Sequence, residues 1–324
     1  MRTQLSAEAT EFGHVLDTAI SAAGGMHLAR DAEREGRTDV RVADLFDQLG
    51  VWSLDVSAGV ELEAAAIACR AAGRYALPYP VAERLAAKAI GHDGALAVTD
   101  GRASAVMAAA ELDWLICDLA GRVAPLSVGS PQGGRLGTFL ALAEPGEWHE
   151  GGDAALVLAL HSWVLLGMVE RAAELTYDYA KERVQFGKPI STFQGPRFRI
   201  ADMAASVQGL EELAKYTLWS LSEARAGRLV DALALRLSCL ESAEAVFRSA
   251  HQLYGAMGFC DESDVSWLSR ASQPLRRLPF GRAQTEDALL DSIERLGFDG
   301  LFDWRTEDPL LDDAGGHRPP STRG

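Results

Sequence analysis

The chain has 324 residues, 48% of them hydrophobic and 24% charged, with a formal net charge of −15 and a pI near 4.9. That length supports a large core and one to three domains. The acidic balance argues against nucleic-acid binding, which needs a basic face to release phosphate counterions, and against a polybasic membrane-surface protein.

Residues 1–91 read as a helical domain. "SAEATEFGHVLDTAISAAG" opens with Ser6 and carries Glu8 and Glu11 in or near its first turn, where acids suit the positive end of a helix. "RVADLFDQLGVWSL" sets Val42, Leu45, Phe46 and Leu49 on one stripe. "ELEAAAIACRAAGRYALPYP" is an Ala-rich helix that stops near Gly73, before Pro78 and Pro80, and "PVAERLAAKAIG" is a further short helix. The first residues lack the apolar core of a signal peptide.

Residues 92–152 change character. Short apolar runs divided by "TDG", "LDW" and "LAGR" predict several short strands in a small β insert. Its Gly-rich "GSPQGGRLG" matches neither a P-loop nor a dinucleotide fingerprint and reads as a connector.

From 153 to 305 the sequence is helical again. The run from Asp153 to Gly187 has no proline before Pro189 and is long enough for eight turns or more. A second helix spaces Ile200, Met203, Val207, Leu210 and Leu218 mostly three and four apart, a third is closed by Gly255 and Gly258, and a fourth, "TEDALLDSIERLG", has Thr285 as its candidate N-cap. Three long helices and one shorter, with short joints, predict an antiparallel four-helix bundle. The tail, 306–324, is polar and rich in Gly and Pro and reads as disordered.

No apolar run reaches about 18 uncharged residues, and the nearest, "AALVLALHSWVLLGMV", is interrupted by His161. The four cysteines are far apart, without zinc spacing, and read as buried reduced thiols. Together these predict a soluble, cytoplasmic protein with no metal and no membrane span. His161 and His251 fall in apolar helical text and read as packed side chains.

The joint "ERVQFGKPISTFQ", 182–194, carries more than a turn needs. Gly187 and Pro189 suffice to break and redirect a helix, and a cation there suits the helix dipole. Arg183 is also a fork suited to phosphate, Phe186 a face for a stacking ring, and Gln194 a donor and acceptor for a sugar or amide. That set suits the ADP half of a nucleotide cofactor.

"YAKERVQFGKPISTFQGPRFRIADM" resembles the acyl-CoA dehydrogenase family, whose flavoenzymes carry R-x-x-F-G-x-x-[LI]…Q…[AL]-[DE]-M at this joint. "HQLYGAMGF", 251–259, is similar to the family's second flavin stretch, Q-x-x-G-G-x-G, and "LFDQLGVWSLDV" and "CRAAGRYALPYP" resemble its N-terminal helices. The resemblance implies a mainly α fold with a small β domain: N-terminal helical domain, reduced β domain, C-terminal four-helix bundle. It implies FAD lying across a subunit interface. Arg183 would meet the pyrophosphate, with Phe186 near the adenine and Gln194 on the same half. Gln252, Gly255 and Ala256 would border the dinucleotide from the other side, Ala256 replacing the usual second glycine. Gln185 and Ile190, in the first stretch, and Arg282 complete the implied cofactor set.

Two departures stand out. The family's α-proton is removed by a glutamate that begins an E-G-T stretch, and here the text is "RRLPFGRAQ": Phe280 takes the Glu place and Arg282 the Thr place. The alternative base position falls near Val157, and the nearest acids, Asp153, Glu170 and Glu286, match neither place. No catalytic residue is therefore expected from this chain. The β segment also lacks the family's T-E-x-x-x-G-S-D stretch. These departures resemble the base-lacking subunit of α2β2 heterotetramers of the steroid side-chain type. The implied partners are a homologous subunit that supplies the glutamate, an acyl-CoA substrate with a bulky chain, and an electron-transfer flavoprotein or similar acceptor. A stand-alone relative with other chemistry, and a purely structural partner subunit, share most of the same residues. Arg270, Arg276, Arg277 and Arg282 form a positive island with no acid in their own stretch, equally a phosphate site or a solvated interface loop.

Overall fold

The structure, a computed structural model, describes residues 4–35, 38, 40–57, 59–101, 104–107, 111–129 and 140–297. The Gly-rich 130–137, the bundle's end at 305 and the tail 306–324 lie outside those residues.

Five helices open the chain: α1 (Ala7–Ala22), α2 (His27–Glu35), α3 (Val40–Gln48), α4 (Gly59–Arg74) and α5 (Val81–Lys88). Ser6 starts α1, its hydroxyl accepting from the Ala9 amide at 3.2 Å. On α3 the stripe turns Val42 and Phe46 fully inward, with Leu45 and Leu49 packed at its edge.

A six-stranded sheet follows, built from β1 (Ala95–Thr99), β2 (Ser104–Met107), β3 (Trp114–Asp118), β4 (Arg122–Val128), β5 (Leu140–Pro145) and β6 (His149–Glu150). Its order is β1-β3-β4-β5-β2, with β6 also on β4; β1 and β3 run parallel and the other pairs antiparallel. Alternation along β1 divides two cores. Leu96 and Val98 join the main helical core, whereas Ala95 and Ala97 meet Trp114, Ile116 and Leu126 in a small second one.

The C-terminal part contains α6 (Ala154–Glu182), a two-stranded hairpin of β7 (Val184–Gln185) and β8 (Lys188–Pro189), α7 (Gln194–Ser222), α8 (Arg228–Tyr254), α9 (Asp264–Arg277) and α10 (Arg282–Leu296). Asp153 caps α6, accepting from the Leu156 amide at 3.1 Å. At 29 residues α6 is about 43 Å long. It packs against α4, α5, α7, α8 and α9, so it is the axis of the molecule. By length and composition α6 could cross a membrane, but 83% of its most apolar window is buried inside the protein, as in a core helix.

Where α4 crosses α6 the backbones nearly touch. A Cβ on Gly73 would lie 1.9 Å from the Val164 carbonyl oxygen, and one on Gly167 would lie 2.0 Å from that of Arg70. Ion pairs frame this crossing. Arg70 Nε donates to Glu170 at 2.8 Å and Nη1 reaches Glu211 of α7 at 3.3 Å; Arg74 reaches Glu170 at 3.0 Å and Glu174 at 2.8 Å. Cys69, Cys117 and Cys239 are buried free thiols, and Cys260 is partly exposed.

Two local expectations are corrected. Residues 270–277, read as part of an Arg-rich island, belong to α9 (Asp264–Arg277), a helix that carries Pro274 internally. Thr285 does not cap α10: the helix begins at Arg282, and the buried Thr285 hydroxyl instead donates to the Gly281 carbonyl at 2.8 Å.

Candidate functional site

The hairpin between α6 and α7 projects from one end of the bundle. Phe186 is 93% exposed and sits at its tip with φ of +53°, a left-handed conformation that β-carbon-bearing residues adopt at a cost. The tight turn therefore holds an aromatic ring in solvent. Phe193 supports it edge-on, with ring centroids 6.1 Å apart. Arg183, Gln185 and Gln194 are exposed around it, and Ile190 is half-buried. Arg183 forms no ion pair among the described residues, whereas the neighbouring Lys181 is bound to Asp178 at 3.0 Å. The surrounding surface is apolar: Tyr177, Val184 and Phe198 are 48%, 54% and 60% exposed.

The second stretch lies at the same end. Tyr179, one turn before Arg183, stacks on Tyr254 with centroids 4.1 Å apart, and the Tyr254 hydroxyl donates to the Leu175 carbonyl at 3.0 Å. Burial pushes the Tyr254 phenol up to about 12. Gly255 follows at φ +61° with open space where a Cβ would stand; Gln252, Gly255 and Ala256 are all exposed. The structure thus brings the two separated stretches to one end of α6 and α8. An unpaired guanidinium, an exposed ring, amide side chains and an open glycine turn fit the ADP half of FAD.

Arg282 is not part of it. It is bound to Glu241 at 2.7 Å and to Glu286 at 2.8 Å, and Glu241 precedes Tyr254 by about 20 Å along α8. Arg270 is likewise bound to Asp261 at 2.8 Å. Two of the island's four arginines, Arg270 and Arg282, are thus paired with acids from outside its own stretch, which the linear sequence does not show.

Phe280 is 4% exposed and faces the core. Arg236, 2% exposed, lies beneath it and donates to the carbonyls of Leu278 at 2.8 Å and Phe280 at 2.6 Å. Burial lowers the Arg236 guanidinium to about 10. The other considered acids are engaged: Asp153 with Arg228 at 2.8 Å, Glu170 with Arg70 and Arg74, Glu286 with Arg282. Val157 is buried and aprotic.

A cleft with about 940 Å³ of open space, in part continuous with solvent, runs between the α4–α5 loop, α5, α6 and α9. Leu77, Tyr79, Val164, Met168 and Leu275 contribute its apolar wall. His161 and Glu83 also line it, with Nε2 of His161 2.9 Å from Oε1 of Glu83. This pair was missed because a glutamate on one helix and a histidine on another share no sequence pattern. The apolar text around His161 signalled only burial. His251 is indeed packed, stacked on Phe259 at 4.4 Å with Nε2 2.9 Å from the Ser269 hydroxyl, and burial lowers its pKa.

Residues 159–281 match the family profile described as "Acyl-CoA dehydrogenase, C-terminal domain". A probable short/branched chain specific acyl-CoA dehydrogenase of Dictyostelium discoideum is 34% identical over 109 residues, 34% of this chain and 26% of that protein. The acyl-CoA dehydrogenase IpdE2 of Mycobacterium tuberculosis is 30% identical over 139 residues, 43% of this chain and 37% of that protein. The matched stretches thus span well under half the length of these curated relatives. Among solved structures, the ChsE4-ChsE5 complex from Mycobacterium tuberculosis aligns with a TM-score of 0.73 at 17% identity, covering 91% of this chain and 99% of that one. A Tcur3481-Tcur3483 steroid ACAD variant aligns at 0.68 and 17%, covering 89% and 98%.

Proposed function

Proceeding from a chain whose residues 159–281 are an acyl-CoA dehydrogenase C-terminal domain, on the fold of that family, we propose that it is the base-lacking subunit of a hetero-oligomeric, FAD-dependent acyl-CoA dehydrogenase. The observation that carries this is a contrast within one molecule. The hairpin of β7 and β8 is presented outward, with Phe186 93% exposed and Arg183 in no ion pair among the described residues, while Phe280, which the resemblance sets at the place of the family's glutamate, is buried over Arg236.

Arg183 would pair with the cofactor pyrophosphate, Phe186 would lie against the adenine, and Gln194 would hydrogen-bond the same half. Gln252, Gly255 and Ala256 would border it from the end of α8. FAD, when bound, accepts the β-hydride in α,β-dehydrogenation of an acyl-CoA. The α-proton needs a carboxylate that neither Phe280 nor Val157 can supply, so a homologous partner subunit provides it. The exposed Tyr177, Val184 and Phe198 form the kind of apolar surface a partner covers. Two similar structures are of paired chains, and one of them is described as a steroid enzyme; this supports a bulky, steroid-derived acyl chain as substrate. An electron-transfer flavoprotein is the acceptor in this reading.

The test is co-expression with the nearest homologue encoded beside it, followed by a visible spectrum and native mass. Flavin absorbance confined to the mixed oligomer supports the proposal. A yellow, active homo-oligomer of this chain alone overturns it.

A further inference from the structure

Arg183 and Gly255 come from different helices, and one aromatic contact spans the gap between them. Tyr179 of α6 stacks on Tyr254 of α8, with ring centroids 4.1 Å apart and planes 12° from parallel. Each ring is coupled directly to a residue of the cluster. The Arg183 amide donates to the Tyr179 carbonyl at 2.8 Å, closing the last turn of α6, and Tyr254 immediately precedes Gly255. Beyond the stack, the Tyr254 hydroxyl donates to the Leu175 carbonyl at 3.0 Å, one turn earlier on α6. The last buried residues of α6 and α8 are Ala180 and Ala250, which bring only methyl groups to the join. The turn after Tyr254 is held from its other side as well. Phe259 stacks on His251, and a Cβ on the buried Gly258 would lie 3.0 Å from the Tyr254 Cβ and 3.1 Å from His251 Nδ1. The Gly255–Phe259 turn therefore rests on a platform of Tyr254 and His251.

A ligand held from two helices binds tightly only where the spacing of the two sides is fixed before it arrives. A stacked aromatic pair and a neutral hydrogen bond each shift an equilibrium about two- to tenfold. We propose that Tyr254 is a positioning residue for a nucleoside diphosphate. Seated on Tyr179 and on the Leu175 carbonyl, it fixes the distance between the Arg183 guanidinium and the Gly255 turn, so that the two stretches grip the ADP half of the cofactor as one site. Tyr254 acts through those two groups and not by contact with the ligand. The inference rests on the reading of the hairpin as a flavin-nucleotide site and adds to it the residue that joins its halves.

The co-expressed mixed oligomer, stripped of flavin, is titrated with ADP and with FMN, which present the two halves of FAD separately. Tyr254→Phe, which keeps the ring and loses the hydroxyl, should weaken ADP about threefold, and Tyr254→Leu, which loses both, about tenfold. FMN affinity should be unchanged in both. In an Arg183→Ala background the Tyr254→Leu penalty should shrink to about twofold, because no guanidinium is left to be placed. Tyr254→Phe removes a single hydroxyl, so the same comparison run with it stands even if Tyr254→Leu does not assemble. Equal losses for ADP and FMN, or a Tyr254 penalty undiminished by Arg183→Ala, would mean general loosening and would overturn the proposal. Unchanged ADP affinity in Tyr254→Phe would overturn it too; if Arg183→Ala still weakens ADP, the flavin-site reading survives that result. No ADP binding by the wild-type oligomer would overturn both.

Discussion

The Arg236 guanidinium donates to the Phe280 carbonyl at 2.6 Å, and its carbon lies 5.4 Å from the centre of the Phe280 ring. A single buried cation thus ties the segment after α9 to α8 at the position that the sequence resemblance assigns to the family's catalytic acid. Phe280→Glu is expected to put its carboxylate against Arg236, not into the cleft. A paired carboxylate of this kind is a poor base. The variant should show no gain in acyl-CoA-dependent dye reduction over wild type. Appearance of that activity would mean that the segment swings free of Arg236.

Arg183→Ala should strip flavin from the assembled oligomer. A charge-assisted bond to phosphate is worth about 1.5–3 kcal/mol, or roughly 10- to 100-fold in affinity. Folding should change by less than about 0.5 kcal/mol, because the exposed side chain forms no ion pair among the described residues. Flavin content per mole of complex, with an unchanged melting curve, checks both halves. Undiminished flavin content would remove Arg183 from the site.

Gly167→Ala tests the α4–α6 crossing. The new methyl would start 2.0 Å from the Arg70 carbonyl oxygen, so the helices must separate. Overpacking against backbone, which cannot rotate away, should cost about 3 kcal/mol. Urea denaturation reads this directly, and a loss below about 0.5 kcal/mol would mean that the crossing is looser than the geometry shows.

Glu170 should dominate the acid limb of stability. Burial tends to raise its carboxyl, but the bonds from Arg70 and Arg74 outweigh this and hold it below the ordinary 4.5. The folded state therefore binds the proton more weakly than the unfolded one. The stabilisation is complete above about pH 4.5 and is lost as pH falls through the lower folded value. Glu170→Gln should cost about 1.5–3 kcal/mol at neutral pH, since Arg70 and Arg74 each lose a charge-assisted bond while keeping Glu211 and Glu174. It should also flatten the fall in stability below pH 4.5 relative to wild type. Parallel acid limbs in the two proteins would assign the acid sensitivity elsewhere.

The sequence by itself determined the local features and, through motif spacing, the fold class. The starts of α1 and α6 follow from Ser6 and Asp153, whose side chains bond amides three residues on. The hairpin after α6 was legible because Gly187 and Pro189 act on their own neighbours, and its excess of functional side chains was visible against that simple need. Helix α9 was obscured by Pro274 and by its arginines, which lend it the look of a loop until the chain that packs on it is known. Tertiary structure alone decided which charges meet. It gave Asp261, Glu241 and Glu286 to the arginines of that stretch, placed Arg236 under Phe280, and set Glu83 beside His161. Caps and turns are short-range and recur in sequence. Which side chains face each other across helices depends on where the backbones cross, and here on two glycines, Gly73 and Gly167, that let α4 and α6 approach closely enough to form one wall of the cleft.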